Sequence, residues 1–94
     1  MANPQAGEVI LATSIGPRPL RLSLAALAEI EALLGVEALS ALGPRLAAMS
    51  MTEFHSVIAI LLRAGGEAQA VEVDPVEAAS ALAELFTRAS RNAP

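Results

Sequence analysis

The spacing of apolar residues changes once near the start of this chain, at Ser23, and that change constrains the fold more than any other feature. Before it, Leu20, Leu22 and Leu24 alternate with Arg21 and Ser23, the two-residue period of a strand. After it, Leu24, Leu27, Ile30 and Leu34 recur within roughly a third of a helical circumference at ~100° per residue. Ser23 is a good N-cap for that helix, and Gly35 stands where a left-handed C-cap is expected. Upstream, "EVILAT" sets Val9, Leu11 and Thr13 against Ile10 and Ala12, and "SIGPRP" is turn chemistry. The pattern predicts a β-hairpin over residues 8–22. Pro19 has no N–H, so its strand should be an edge, or Pro19 should stand at its start. A lone hairpin is marginal in water, so helices must cover its leucine face.

Downstream the signals are helical. "VEALSAL" predicts a short helix that Gly43-Pro44 stops or kinks, and Ser50 with Glu53 forms a capping box before a third helix. That helix has the strongest periodicity in the chain, through Phe54, Val57, Ile58, Leu61 and Leu62, and Gly65-Gly66 ends it. Asp74-Pro75-Val76-Glu77 combines a capping box with proline at the first helical position, and the last helix should turn Val76, Ala79, Leu82, Ala83 and Phe86 inward. The expectation is an α+β fold, mostly helical, with an N-terminal hairpin packed on three to four helices. Residues 1–7 form a flexible leader, 8–90 a single small domain and 91–94 a tail. Helices fall at about 24–34, 37–48, 51–64 and 75–90. Leu20, Leu22, Leu27, Leu34, Phe54, Ile58, Leu61 and Phe86 are central to the core. Glu31, at the margin of the first helix's stripe, is placed to pair with Arg21, and Glu84 with Arg88.

Reactive chemistry is hard to assemble from these residues. His55 is the only histidine and Asp74 the only aspartate, on different segments, and there are no cysteines. A hydrolytic triad or a zinc site would need more ligands than that, so no catalytic, cofactor or metal residues are expected. "RAGGE" lacks the Gly-Lys-Ser/Thr of a phosphate loop. With a net charge of −4, no lysine, six scattered arginines and two phenylalanines, the chain has neither the basic face nor the stacking platform of a nucleic-acid binder. No apolar run approaches the ~20 residues of a membrane span, and "MANPQAGE" lacks the basic and apolar regions of a signal peptide. The absence of cysteine fits a cytoplasmic location.

The chain is 54% hydrophobic with a mean hydropathy of +0.54, more apolar than its core can comfortably bury. Domains of this size bury only ~60–70% of their unfolded surface. Leu39, Leu42, Leu46 and Met49 recur at helical spacing around the Gly43-Pro44 break and make the candidate partner surface.

Asn3, Gly7-Glu8, the alternating strand, then Leu20-Arg21-Leu22-Ser23-Leu24, Ala26-Leu27-Ala28-Glu29-Ile30-Glu31 and Leu34-Gly35 carry a further signal, joined by "LLRAGG" at 61–66. This pattern resembles the gene transfer agent family, short proteins of siphophage-like tail gene clusters. Where that family has an aromatic before Leu-Arg-Leu, this chain has Pro19, which bears on the pairing of the second strand. The resemblance implies a non-enzymatic role in the phage tail, with tail tube or tape-measure proteins as partners and a homo-oligomer as a further possibility. A tail assembly chaperone is the first expectation, a tail tube component the alternative, and a small regulatory or antitoxin-like interaction protein a third. The location would be cytoplasmic or particle-associated.

Overall fold

A computed structural model describes residues 8–37 and 39–91; the leader and most of the tail expected at 1–7 and 91–94 lie outside them. Two strands, β1 (Glu8–Thr13) and β2 (Gly16–Arg21), are followed by four helices, α1 (Leu24–Leu34), α2 (Leu39–Ala47), α3 (Met51–Ala64) and α4 (Pro75–Arg91). The fold is α+β and mostly helical, an N-terminal hairpin followed by helices. α3 packs on β2, α4 on β1, α1 against α3, and α2 against α1.

The strands pair antiparallel over their full length, from Glu8 opposite Arg21 to Thr13 opposite Gly16. Pro19 therefore sits within the strand rather than at its start. It is tolerated because ladder hydrogen bonds use alternate residues, and Pro17 and Pro19, which cannot donate, fall on the positions between them. Their missing N–H groups would have pointed away from β1, so β2 offers two fewer donors along its outer edge. Val9, Leu11 and Leu20 are buried on one face of the hairpin, as the alternation predicts, and Ile10 and Ala12 are exposed on the other.

The outer edge of β2 is also covered. α3 ends beside it so closely that a Cβ on Gly65 would overlap the carbonyl oxygen of Pro19. Glu67, just beyond, pairs with Arg18 at 2.9 Å. The edge of β1 is clipped at both ends. Thr13 bridges Val73, the Ser14 N–H donates to Glu72 O at 2.9 Å, and Arg88 Nη1 donates to the Glu8 carbonyl at 3.3 Å.

Local signals set the helix ends. Ser23 Oγ accepts the Ala26 N–H at 3.1 Å, and Gly35 takes the left-handed cap with φ 72°. Ser50 and Glu53 complete the predicted capping box. Asp74 Oδ2 accepts the Glu77 N–H at 2.9 Å. Pro44 does not stop α2, which runs through it to Ala47.

The core differs from expectation in which face α1 and α4 bury. Leu20, Leu34, Phe54, Ile58 and Leu61 are buried, while Leu22, Leu27 and Phe86 are half-buried against them. On α1 the buried row is Ala26, Ile30 and Leu34, and Leu24 is 86% exposed. On α4 it is Ala78, Ala81, Leu82 and Leu85, and Val76 is 77% exposed. On each helix alanines share the buried row with large side chains, Ala26 with Ile30 and Leu34 on α1, and Ala78 and Ala81 with Leu82 and Leu85 on α4.

Candidate interaction surface

The rotation of α4 leaves a second apolar face without cover. Pro75, Ala79, Leu82, Ala83 and Phe86 form one wall of an open groove of about 400 Å³. α3 supplies Met51 and Phe54, and the end of α2 with the link after it supplies Leu46, Ala47 and Met49. Phe54 and Leu82, both buried, form the floor, and Met51, 63% exposed, stands at the mouth. Among the described residues no charged side chain lines the groove. An apolar surface of this kind, depleted of charge and containing methionine, has the composition of an interface core.

The four residues of the candidate surface separate here. Leu46 and Met49 are half-buried and line the groove. Leu42 is only 4% exposed and belongs to the core, so it is not part of a free surface. The side chain of Leu39 lies outside the described residues. Periodicity turns Ala79, Ala83 and Phe86 inward and gives Met51 no place on a surface, so it misses all four as groove residues. The signal was present in α4 itself, whose apolar positions from Pro75 to Phe86 span too wide an arc for one contact face.

The expected Glu31–Arg21 pair does not form. Arg21 is exposed at the end of β2, opposite Glu8 in the strand register, and the acid on α1 that finds an arginine is Glu29, 3.6 Å from Arg63. Near the groove Arg45 bonds Glu53 and also donates to Leu34 O at 3.1 Å, tying α2 to α1 and α3. The Arg45 guanidinium, and then the Ser50 N–H, hold the Glu53 carboxyl below its ordinary pKa. Glu67 is lowered likewise, first by the Gln69 N–H and then by Arg18.

A second hollow of about 280 Å³ lies between α3 and the link to α4, with His55, Arg63 and Glu67 at its rim. Glu67 and Arg63 are already engaged with Arg18 and Glu29, and His55 is exposed. Among the described residues no group of three or more histidine, cysteine or acidic side chains could hold a metal ion, and no helix is long and apolar enough to cross a membrane.

A family model described as phage tail tube protein, GTA-gp10, matches residues 6–91 of the chain. Neither the curated proteins nor the solved structures yielded a match.

Proposed function

The chain belongs to the phage tail tube protein, GTA-gp10 family, and from that premise we propose that it works as a tail assembly chaperone, binding the tail tube or tape-measure protein through the groove beside α4. A role in the phage tail, structural or in its assembly, follows from membership. The finer reading rests on one contrast: the hairpin's edges are occupied, while the groove is open. A subunit that joins a ring by sheet pairing needs a free strand edge. Here β2 has Pro17, Pro19 and the end of α3 along its edge, and β1 is clipped by Val73 and Arg88. An apolar groove, by contrast, suits reversible cover of an unassembled partner. Leu46, Met49, Met51, Ala79, Ala83 and Phe86 are the residues assigned to that contact. The reading requires no catalytic group, cofactor or metal.

The family description favours a second reading, a structural component of the tail tube. Purified particles separate the two. A chaperone is expected in complex with the tube or tape-measure protein before assembly and absent from finished tails. A tube component is expected in them at many copies per particle, and finding it so would overturn the chaperone assignment.

A further inference from the structure

We propose that the occupant of this groove is an amphipathic helix of the partner protein, seated along α4 and held by apolar side chains alone. The inference rests on the reading above and specifies what kind of segment that partner presents.

The first argument is length. Pro75, Ala79, Ala83 and Phe86 mark successive turns of α4, a run of three turns or about 16 Å at ~1.5 Å per residue. A helical segment of the same length lying beside it would place side chains at i, i+4 and i+7 into the groove. The volume of about 400 Å³ suits that number, since a ~150 Å³ apolar cavity holds one benzene-sized group.

The second argument is hydrogen bonding. An extended peptide docks by pairing its backbone with open N–H and C=O groups, and the described groove walls offer no row of free N–H donors. One wall is a helix whose first residue is Pro75, with no N–H to give. In the opposite wall the donors are spent within the chain. The Ala48 N–H bonds Arg45 O at 3.2 Å, the Met49 N–H bonds Leu46 O at 3.4 Å, and the Ser50 N–H bonds Glu53 Oε1 at 3.0 Å. A strand buried here would leave its own backbone groups unsatisfied on that side, whereas a helix arrives with them already paired.

The third argument is charge. The flank of α4 next to the groove carries Val76, Ser80 and Thr87, and among its described side chains the charged ones, Glu77, Glu84 and Arg88, lie on the far side. Arg45 on α2 and Glu53 on α3, each beside a residue of the other wall in sequence, satisfy each other. The partner face is therefore apolar rather than ionic, and Ala79 and Ala83, one turn apart, let its helix approach closely.

The test uses the full chain and two designed 15-residue peptides of identical composition. One has leucines at i, i+4, i+7 and i+11, and the other has them in strict alternation. The helical peptide is expected to bind saturably and to move the methyl resonances of Met49 and Met51. Ala83→Glu should weaken binding at least about tenfold without lowering the melting temperature, since Ala83 is exposed. Met51→Lys is the second variant should the first fail to fold. No binding by the helical peptide, equal binding by the alternating one, or unaltered binding to both variants would overturn the proposal. So would methionine signals that shift on dilution of the protein alone, because a second copy would then fill the groove. If Ala83→Glu abolishes co-purification with the tube or tape-measure protein but the helical peptide does not bind, this inference fails while the groove reading stands; if co-purification stays complete, both fail.

Discussion

α3 and α4 are built from the same alphabet and start from similar caps, yet they are used differently. α3 buries Phe54, Val57, Ile58, Ile60, Leu61 and Leu62, packed against β2 and α1. α4 buries a narrower row against β1 and leaves Ala79, Ala83 and Val76 in solvent. The difference teaches that periodicity reports how much apolar surface a helix has, and its neighbours decide how much of it is covered. α3 has neighbours on two sides and leaves only its first turn, with Met51 and Phe54, facing the groove. α4 has one strand beneath it and a gap where another helix would fit.

The sharpest way to break that comparison is truncation on the two buried rows. Leu61→Ala on α3 and Leu85→Ala on α4 should each cost ~2–5 kcal/mol in urea melts, because both side chains are wholly buried. A Leu85→Ala variant as stable as the parent would show that α4 does not pack on β1 as described.

Gly65→Ala comes next. The backbone conformation there suits any residue, so its cost is purely one of contact with Pro19, ~1–3 kcal/mol for an overpacked site. Amide shifts confined to β2 and the end of α3 would locate the strain. An unchanged melt would mean α3 can move off the strand edge.

Acid should act on the start of α3 and on the link to α4 before it acts on α4's buried row. Glu53 and Glu67 have depressed folded-state pKa values, so their stabilisation is present above the unfolded value, roughly 4.3, and is lost as pH falls through the folded one. Carboxyl titration by NMR should place both below an ordinary glutamate, and Arg45→Gln should return Glu53 towards it.

The smallest effect is expected on the open face. Val76→Glu should change stability by no more than ~0.5 kcal/mol in thermal melts, as for an exposed residue outside any packed contact. A loss of several times that amount would mean that α4's second face is covered after all.

How much of this was legible in the sequence follows the same division. The hairpin faces, the Ser23 and Ser50 caps, the Gly35 terminus and the buried row of α3 all rest on local chemistry or on large side chains, and reading them needs no knowledge of neighbours. Periodicity turns Leu24 and Leu27 of α1 and Val76, Ala79, Ala83 and Phe86 of α4 inward, yet the buried rows run through Ala26 on α1 and through Ala78, Ala81 and Leu85 on α4. In an alanine-rich helix apolar residues fall on more than one face, and the neighbouring elements decide which of those faces is covered. The long-range ties from Arg18 to Glu67 and from Arg88 to the Glu8 carbonyl span 49 and 80 residues, and no spacing rule reaches them.

Leu82 and Phe54 belong to both surfaces at once: each is part of the buried core and each lines the groove. A molecule that fills the groove therefore adds contacts to side chains that already hold the fold together. By mass action it would stabilise the native state by RT ln(1 + [L]/Kd), ~2.7 kcal/mol at a hundredfold excess over Kd. Occupancy would register as slower hydrogen exchange in β1, the strand against which α4 rests, although β1 contributes nothing to the groove's lining. The chain's own resistance to heat thus becomes a gauge of whether its partner is bound.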